Sequence, residues 1–265
     1  MDLTNFSYKL PIDISTHGAA GDQLIQILHY FMVVLFVGWG IYLVYCLVRF
    51  RERPNHLADV SPKHFTLPKF IEIGVVLFEA VILVFISMPT WAKIKTDFPA
   101  ESEALVVRVT AEQFAWNCHY PGRDGKFGAR KQELIDGTNP IGLDREDPDG
   151  KDDILSINQF SVPVNKPVII KLTSKDVIHS FAIPEMRVKQ DVIPGMEIPV
   201  WFQATQEGDF DVQCAQLCGI SHYRMKGFFH SLSAEKYEEW LKEEEKSLTA
   251  GMDTLAQHTT KEGES

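Results

Sequence analysis

Apolar residues crowd into two long runs near the N-terminus and then recur only in short alternating stretches, a change of pattern that divides the 265-residue chain. The first run, Leu24 to Val48, is about as long as a helix needs to cross a hydrocarbon core of about 30 Å. The second, Lys69 to Ala92, is similar in length but carries two carboxylates, Glu72 and Glu79. Seven residues apart, they share one helix face, and the cost of burying charge in lipid turns that face towards protein or water. Beyond Trp91 the segments 104–110, 167–173, 197–203 and 208–213 alternate as half-buried strands do. Several short strands with turn signals between them predict a Greek-key sandwich or barrel. Ser233 then suits a helix N-cap, with Tyr237, Trp240 and Leu241 on one docking face, and the polar stretch after Leu248 is expected to fray. The chain is read as an N-terminal segment outside the cytoplasm (1–23), a transmembrane helix hairpin (24–92), an all-β domain (93–232) and a C-terminal helix with a polar tail (233–265).

Charge adds orientation. Arg49, Arg51, Arg53 and Lys63 bracket the loop between the apolar runs, against Glu52 and Asp59. A short loop with that excess faces the cytoplasm, which places the β domain on the other side of the membrane. Residues 1 to 20 lack a basic start followed by an apolar core and a small-residue cleavage site, so no removable signal peptide is expected. The formal net charge of -10 argues against nucleic-acid binding and suits a basic partner, although solubility alone accounts for it equally well. The segment 144–153 holds six acids and two bases and reads as a solvated loop, with a docking surface for a basic protein or a calcium site as other readings.

The chemistry concentrates in 214–225, Cys-Ala-Gln-Leu-Cys-Gly-Ile-Ser-His-Tyr-Arg-Met. Two thiols four residues apart, then an imidazole and a thioether, put soft metal ligands on one short loop. With His179 upstream the set is Cys2His2Met, suited to copper. A mononuclear blue-copper site uses His2Cys with a weak axial Met, so one cysteine is left over. Two thiolates can bridge two coppers, with His179 and His222 each taking one ion and Met225 a weak axial donor on one. A Cys214–Cys218 disulfide and a Cys2His2 zinc site are the competing readings, but neither uses the thioether. Cys46 reads as a packing residue in the first apolar run. Cys118 and His119 are adjacent on a strand and so point to opposite faces, which argues against a further metal site. The chain has no Cys-x-x-Cys-His run for covalent haem.

The Cys-x-x-x-Cys-x-x-x-His-x-x-Met run, together with His-Ser-Phe-Ala-Ile-Pro at 179–184 and Lys-Gln-Asp-Val-Ile-Pro-Gly at 189–195, resembles subunit II of cytochrome c oxidase, over nearly the whole chain. The resemblance implies a cupredoxin-like domain holding the dinuclear copper centre CuA on His179, Cys214, Cys218, His222 and Met225, with the main-chain oxygen of Gln216 as an axial ligand. A glutamate usual at position 216 helps bind magnesium shared with subunit I; Gln216 removes that charge and puts magnesium in doubt. Glu72 matches a glutamate at the mouth of a proton pathway of subunit I, whereas Glu79 falls where proline is frequent and no role transfers. Of the family's Gln-Trp-x-Trp patch, which receives electrons from cytochrome c, this chain has Gln113-Phe114-Ala115-Trp116, so Trp116 and Phe114 are the electron-input candidates, and Trp116 is equally readable as core. Asp191 matches an acidic position near the subunit I contact.

The implied function is acceptance of electrons from a cytochrome, soluble or part of another complex, and delivery to haem in subunit I, where haem and CuB reduce oxygen. Subunit III is a further expected partner. The copper domain would face the periplasm of a bacterial-type inner membrane. A CuA-containing nitric oxide reductase and a membrane-tethered copper-binding module are the alternatives; the helix hairpin and Glu72 disfavour the latter. The intact ligand set argues against quinol as direct donor.

Overall fold

The structure, a computed structural model, describes residues 10–54 and 66–262, with side chains as far as Leu248. Asp59 and Lys63 of the interhelical loop lie outside the described residues. The chain divides into a helical unit, Ala19–Asp97, and a second unit made of Met1–Gly18 with Phe98–Ser265.

Helix α1 spans Gly18–Arg49, six residues earlier than the start of its apolar run. The second run forms α2 (Leu67–Ile82), a π-turn (Leu83–Ser87) and α3 (Met88–Lys95). The π-turn has a local cause. Pro89 lacks an N–H, and its ring crowds the carbonyl one turn back, at Phe85; a widened turn, with Met88 N–H bonding to Leu83 O, relieves that crowding. Both stretches are apolar enough to cross a membrane, at 32 and 29 residues. Phe31 of α1 meets Phe78 of α2 with ring centroids 4.8 Å apart.

The second unit is a sandwich of two five-stranded sheets, which resolves the choice between sandwich and barrel. One sheet is ordered β3-β2-β1-β5-β8, from Ile154–Ile157, Ala115–Tyr120, Leu105–Glu112, Pro167–Ser174 and Ile198–Gln203. The other is ordered β4-β10-β9-β6-β7, from Gln159–Pro163, Lys226–Leu232, Gly208–Cys214, His179–Ile183 and Val188–Val192. Most neighbours are antiparallel, but β1–β5 and β4–β10 are parallel, as long crossovers between sheets require. Val107, Val109 and Ala111 alternate inward from β1 to meet Phe160, Phe181, Phe202 and Phe229. Truncating one such ring to Ala costs about 3–5 kcal/mol, because the neighbours collapse only partly into the space.

Residues before α1 belong to this sandwich. Ile14 is fully buried, its N–H bonds to Glu185 O at 3.0 Å and its carbonyl accepts from Thr205 N at 2.7 Å. At the other end, Ser233 caps α4 (Ala234–Glu262) through Lys236 N–H to Ser233 Oγ, 3.3 Å. Trp240 docks on Tyr120 with centroids 5.0 Å apart. The helix continues past Leu248, where the polar composition predicts fraying.

The acidic loop differs from its expected solvated state. Asp153 is completely buried and Asp144 nearly so. Asp153 Oδ2 lies 2.5 Å from His119 Nε2 and accepts Gly128 N–H at 2.9 Å, while Asp144 pairs with Lys131 at 2.7 Å. The loop folds over the outer face of the first sheet, and its carboxylates satisfy groups that folding would otherwise strand. Cys118 points the other way, into the core, as strand alternation requires.

Candidate metal centre

Strand β9 delivers Cys214 at one end of the sandwich, and the loop turns back through a short 3-10 turn, His222–Arg224, into β10. Strand β6 starts at His179 beside it, with Phe181 opposite Cys214 in register. These three chain ends bring the six expected ligand positions together. Cys214 Sγ lies 3.8 Å from Cys218 Sγ, 3.9 Å from His179 Nδ1 and 3.2 Å from Gln216 O. Cys218 Sγ lies 3.6 Å from His222 Nδ1 and 3.7 Å from Met225 Sδ, and His179 Nδ1 is 3.1 Å from Met225 Sδ.

Those separations suit shared metal ions. Two N or S donors, each about 2.0–2.3 Å from one ion at a tetrahedral angle, stand about 3.3–3.8 Å apart. Both cysteines are free thiols. His179, Cys214 and Cys218 alone present donor atoms within 4.8 Å of one another, enough to hold a metal ion.

Electrostatics prepares the donors unequally. Burial raises the Cys214 thiol, but hydrogen bonds with His179 and the surrounding main chain outweigh it and bring the pKa to about 6. Burial and the neighbouring Cys214 sulfur push Cys218 up to about 11. Burial opposes charge on His179, yet its bonds to Cys214 and Asp176 prevail and the net shift is upward. One thiolate is therefore available near neutral pH, and metal binding must displace the second proton.

Two residues that sequence reasoning missed hold this geometry. Asp176 Oδ1 accepts from His179 Nε2 at 2.9 Å, leaving Nδ1 turned to the sulfurs, and its other oxygen accepts Gln113 N–H at 2.7 Å. Gln113 Nε2 in turn donates to Cys218 O at 2.6 Å. For His222 no described residue holds the second ring nitrogen. The side chain of Gln216 accepts only from its neighbour Leu217 N, 3.2 Å, so its carbonyl and not its amide faces the thiols.

The aromatic pair separates. Trp116 is 1% exposed, packed edge-on against Phe181 at 5.3 Å and 6.1 Å from the His179 ring, so a direct contact with a docked donor is excluded by burial. Phe114 is half-buried and borders the loop, where a Cβ on Gly219 would meet its ring at 3.1 Å. On the same loop as Gly219, Leu217, Ile220 and Tyr223 are exposed, Ile220 by 92%. Asp191 lies exposed on β7, an edge strand, opposite Ser180. Glu72 and Glu79 are exposed on α2.

These features define one class of protein: a cupredoxin-like sandwich with a cluster of soft donors able to hold metal at one end, joined in sequence to two helices apolar enough to cross a membrane. The family profile described as cytochrome c oxidase subunit II, periplasmic domain, matches residues 105–231. The alternative cytochrome c oxidase subunit 2 of Bradyrhizobium diazoefficiens is 32% identical over 232 residues, covering 87% of this chain and 82% of that protein. Cytochrome c oxidase subunit 2 of Cereibacter sphaeroides is 32% identical over 213 residues, covering 76% and 68%. The solved periplasmic domain of subunit II of cytochrome oxidase (CoxB) of Bradyrhizobium japonicum is 31% identical, covers 54% of this chain and 95% of that one, and superposes with a TM-score of 0.41. The chain belongs to the cytochrome c oxidase subunit II family, whose members are subunits of a haem-copper oxidase.

Proposed function

We propose that this chain accepts electrons for a terminal oxidase through a dinuclear copper centre held by His179, Cys214, Gln216 O, Cys218, His222 and Met225. The observation that carries the reading is the pair of thiols 3.8 Å apart, each facing its own imidazole. Bound there, copper supplies one-electron transfer. Cys214 and Cys218 would both serve as thiolate donors, and the cradle, tied by Asp176 and Gln113, would resist rearrangement when the charge of the bound metal changes. The apolar rim of Leu217, Ile220 and Tyr223, with Phe114, suits an electron partner better than Trp116 does. On this reading α1 to α3 span the membrane beside subunit I, with subunit III in the same complex, and Glu72 feeds protons to subunit I. The copper domain is then extracytoplasmic, and a cytochrome is the donor. Magnesium receives no carboxylate from position 216.

Copper stoichiometry with electron paramagnetic resonance on the purified full chain tests this. Two coppers sharing one unpaired electron are expected; a single copper, or zinc in its place, refutes the dinuclear centre.

A further inference from the structure

Strands β2, β1 and β5 set three basic residues side by side on the outer face of the first sheet: Arg108 lies opposite His119 across β2 and beside Lys171 across β5. Two of them are answered. Lys171 pairs with Glu101 at 2.7 Å, and His119 with Asp153. Arg108 is not. Its guanidinium stands 4.2 Å from the centre of the Phe127 ring, whose face attracts the charge without accepting the full set of N–H bonds, and its Nε is buried with no partner. The covering loop adds a second arginine. A bridge between Arg130 and Leu143, with Lys131 N–H bonded to Gly142 O at 2.7 Å, fixes the backbone there, yet Arg130 Nη1 reaches only Thr110 Oγ1, at 3.4 Å. Among the described residues neither guanidinium has a carboxylate partner. Partial burial and the charge of Arg108 lower the pKa of Arg130, and exposed Glu197 opposes without pairing. Both charges also act on His119, whose Nδ1 is buried and unpartnered. Asp and Glu outnumber Lys and Arg in this chain by 36 to 26, so two neighbouring arginines left without an acid mark a place where a negative charge is missing.

We propose that Arg108 and Arg130 hold a phosphate-type oxyanion, free or as a phospholipid headgroup, between the first sheet and the loop that covers it. Planar guanidinium forks match the paired oxygens of such a group, and charge-assisted bonds to it would occupy the N–H groups that the fold leaves idle. His119 adds a requirement. Its Nε2 faces a carboxylate and so carries the ring proton, which leaves Nδ1 as an acceptor. An O–H on the ligand, as hydrogenphosphate or a glycerol headgroup carries, would answer it. Bound there, the anion ties β1 to the loop around Arg130.

Isothermal titration calorimetry of the purified full chain in detergent, at constant ionic strength, tests this with two probes. One is inorganic phosphate, with chloride as its control; the other is phosphatidylglycerol carried in the same detergent, with empty micelles as its control. Saturable binding of one equivalent is expected from at least one probe, phosphate identifying a free anion and phosphatidylglycerol a headgroup. Arg108→Gln and Arg130→Gln are each expected to weaken that binding about 10- to 100-fold, the worth of a charge-assisted bond. Arg130→Lys keeps the charge but loses the fork and should weaken it about threefold to tenfold. Arg123→Gln, at an arginine already paired with Glu245, should leave it unchanged. Arg130 is partly open to water, so its replacement should preserve the fold, which circular dichroism checks. No saturable binding of either probe overturns the proposal, and so does binding that both glutamine variants retain.

Discussion

Asp176 accepts a hydrogen bond from His179 Nε2 at 2.9 Å, and that contact decides which imidazole nitrogen faces the thiols. The same carboxylate accepts Gln113 N–H at 2.7 Å, so one side chain orients a candidate ligand and anchors the turn between β1 and β2. Removing an outer partner of a metal-bound histidine typically weakens metal binding about 10- to 100-fold, because the ring loses both orientation and basicity. Asp176→Ala is therefore expected to lose copper to a competing chelator at about 10- to 100-fold lower chelator concentration, and Asp176→Asn, which still accepts a bond, to lose less. Equal retention by the wild type and both variants would show that the contact does no orienting.

The two sulfurs and the carbonyl of Gln216 should respond differently to substitution. If both sulfurs bridge a pair of coppers, Cys218→Ser should abolish the shared-electron resonance signal and leave at most one copper. Gln216→Ala leaves the main-chain oxygen 3.2 Å from Cys214 Sγ and should preserve both coppers. Loss of copper in Gln216→Ala, measured by metal analysis, would mean that the side chain takes part.

Glu72 calls for a measurement in the assembled oxidase. If it feeds protons to subunit I, Glu72→Gln should slow steady-state oxygen consumption while reduction of the copper centre keeps its wild-type rate. Stopped-flow reduction separates the two. Equal slowing of both would place the effect on folding or assembly instead.

Gly219 adopts φ +140°, a region that favours glycine, and an added Cβ would lie 2.7 Å from Gln113 Nε2. That amide holds Cys218 O at 2.6 Å, so Gly219→Ala strains the loop and pushes on its anchor together. A loss of about 1–3 kcal/mol is expected from backbone strain of this kind. Thermal unfolding of the copper-loaded chain should show it, with a parallel loss of copper affinity that Gly125→Ala, far from the centre on another positive-φ turn, does not produce.

The ligand loop was legible because its spacing is local: five of the six candidate donors fall within twelve residues, and position in sequence nearly dictates position in space. The supporting residues were not. Asp176 looks like any acid in a turn, and Gln113 reaches the loop across 105 residues, which no local pattern reports. Strands with one solvated face announced themselves by alternation, as β1 and β5 did. Strand β6 did not, since all five residues from His179 to Ile183 are buried and the period-two signal vanishes. The acidic loop misled for the opposite reason. Composition favoured solvation, but Asp153 meets His119, 34 residues away in sequence, and that pairing exists only after folding.

That buried pair makes a prediction about pH. His119 is fully buried, and burial lowers its pKa; the bond to Asp153 opposes the shift, while the charges of Arg130 and Arg108 add to it, and the net direction is down. His17, also buried, is lowered mainly by burial, with Asp13 opposing. A histidine harder to protonate in the folded chain than in the unfolded one binds fewer protons when folded, so its contribution to stability is complete above an unfolded pKa of about 6.5 and is lost as pH falls towards the depressed folded value. The contribution of these two histidines to the melting temperature should accordingly be flat near pH 8 and decline below about pH 6.5. Carboxylates titrate lower still, but Cys214, brought to about 6, and His179, shifted upward, titrate in the same window, so only comparison with a variant isolates His119. Replacing His119 with Gln removes one titrating group but keeps a donor for Asp153, and the difference in melting temperature between wild type and variant should shift in the variant's favour as the pH drops. A difference that stays constant from about pH 8 to 5.5 would mean that His119 takes up its proton equally well in both states, and that its burial beside Asp153 exerts no pH-dependent hold on the fold.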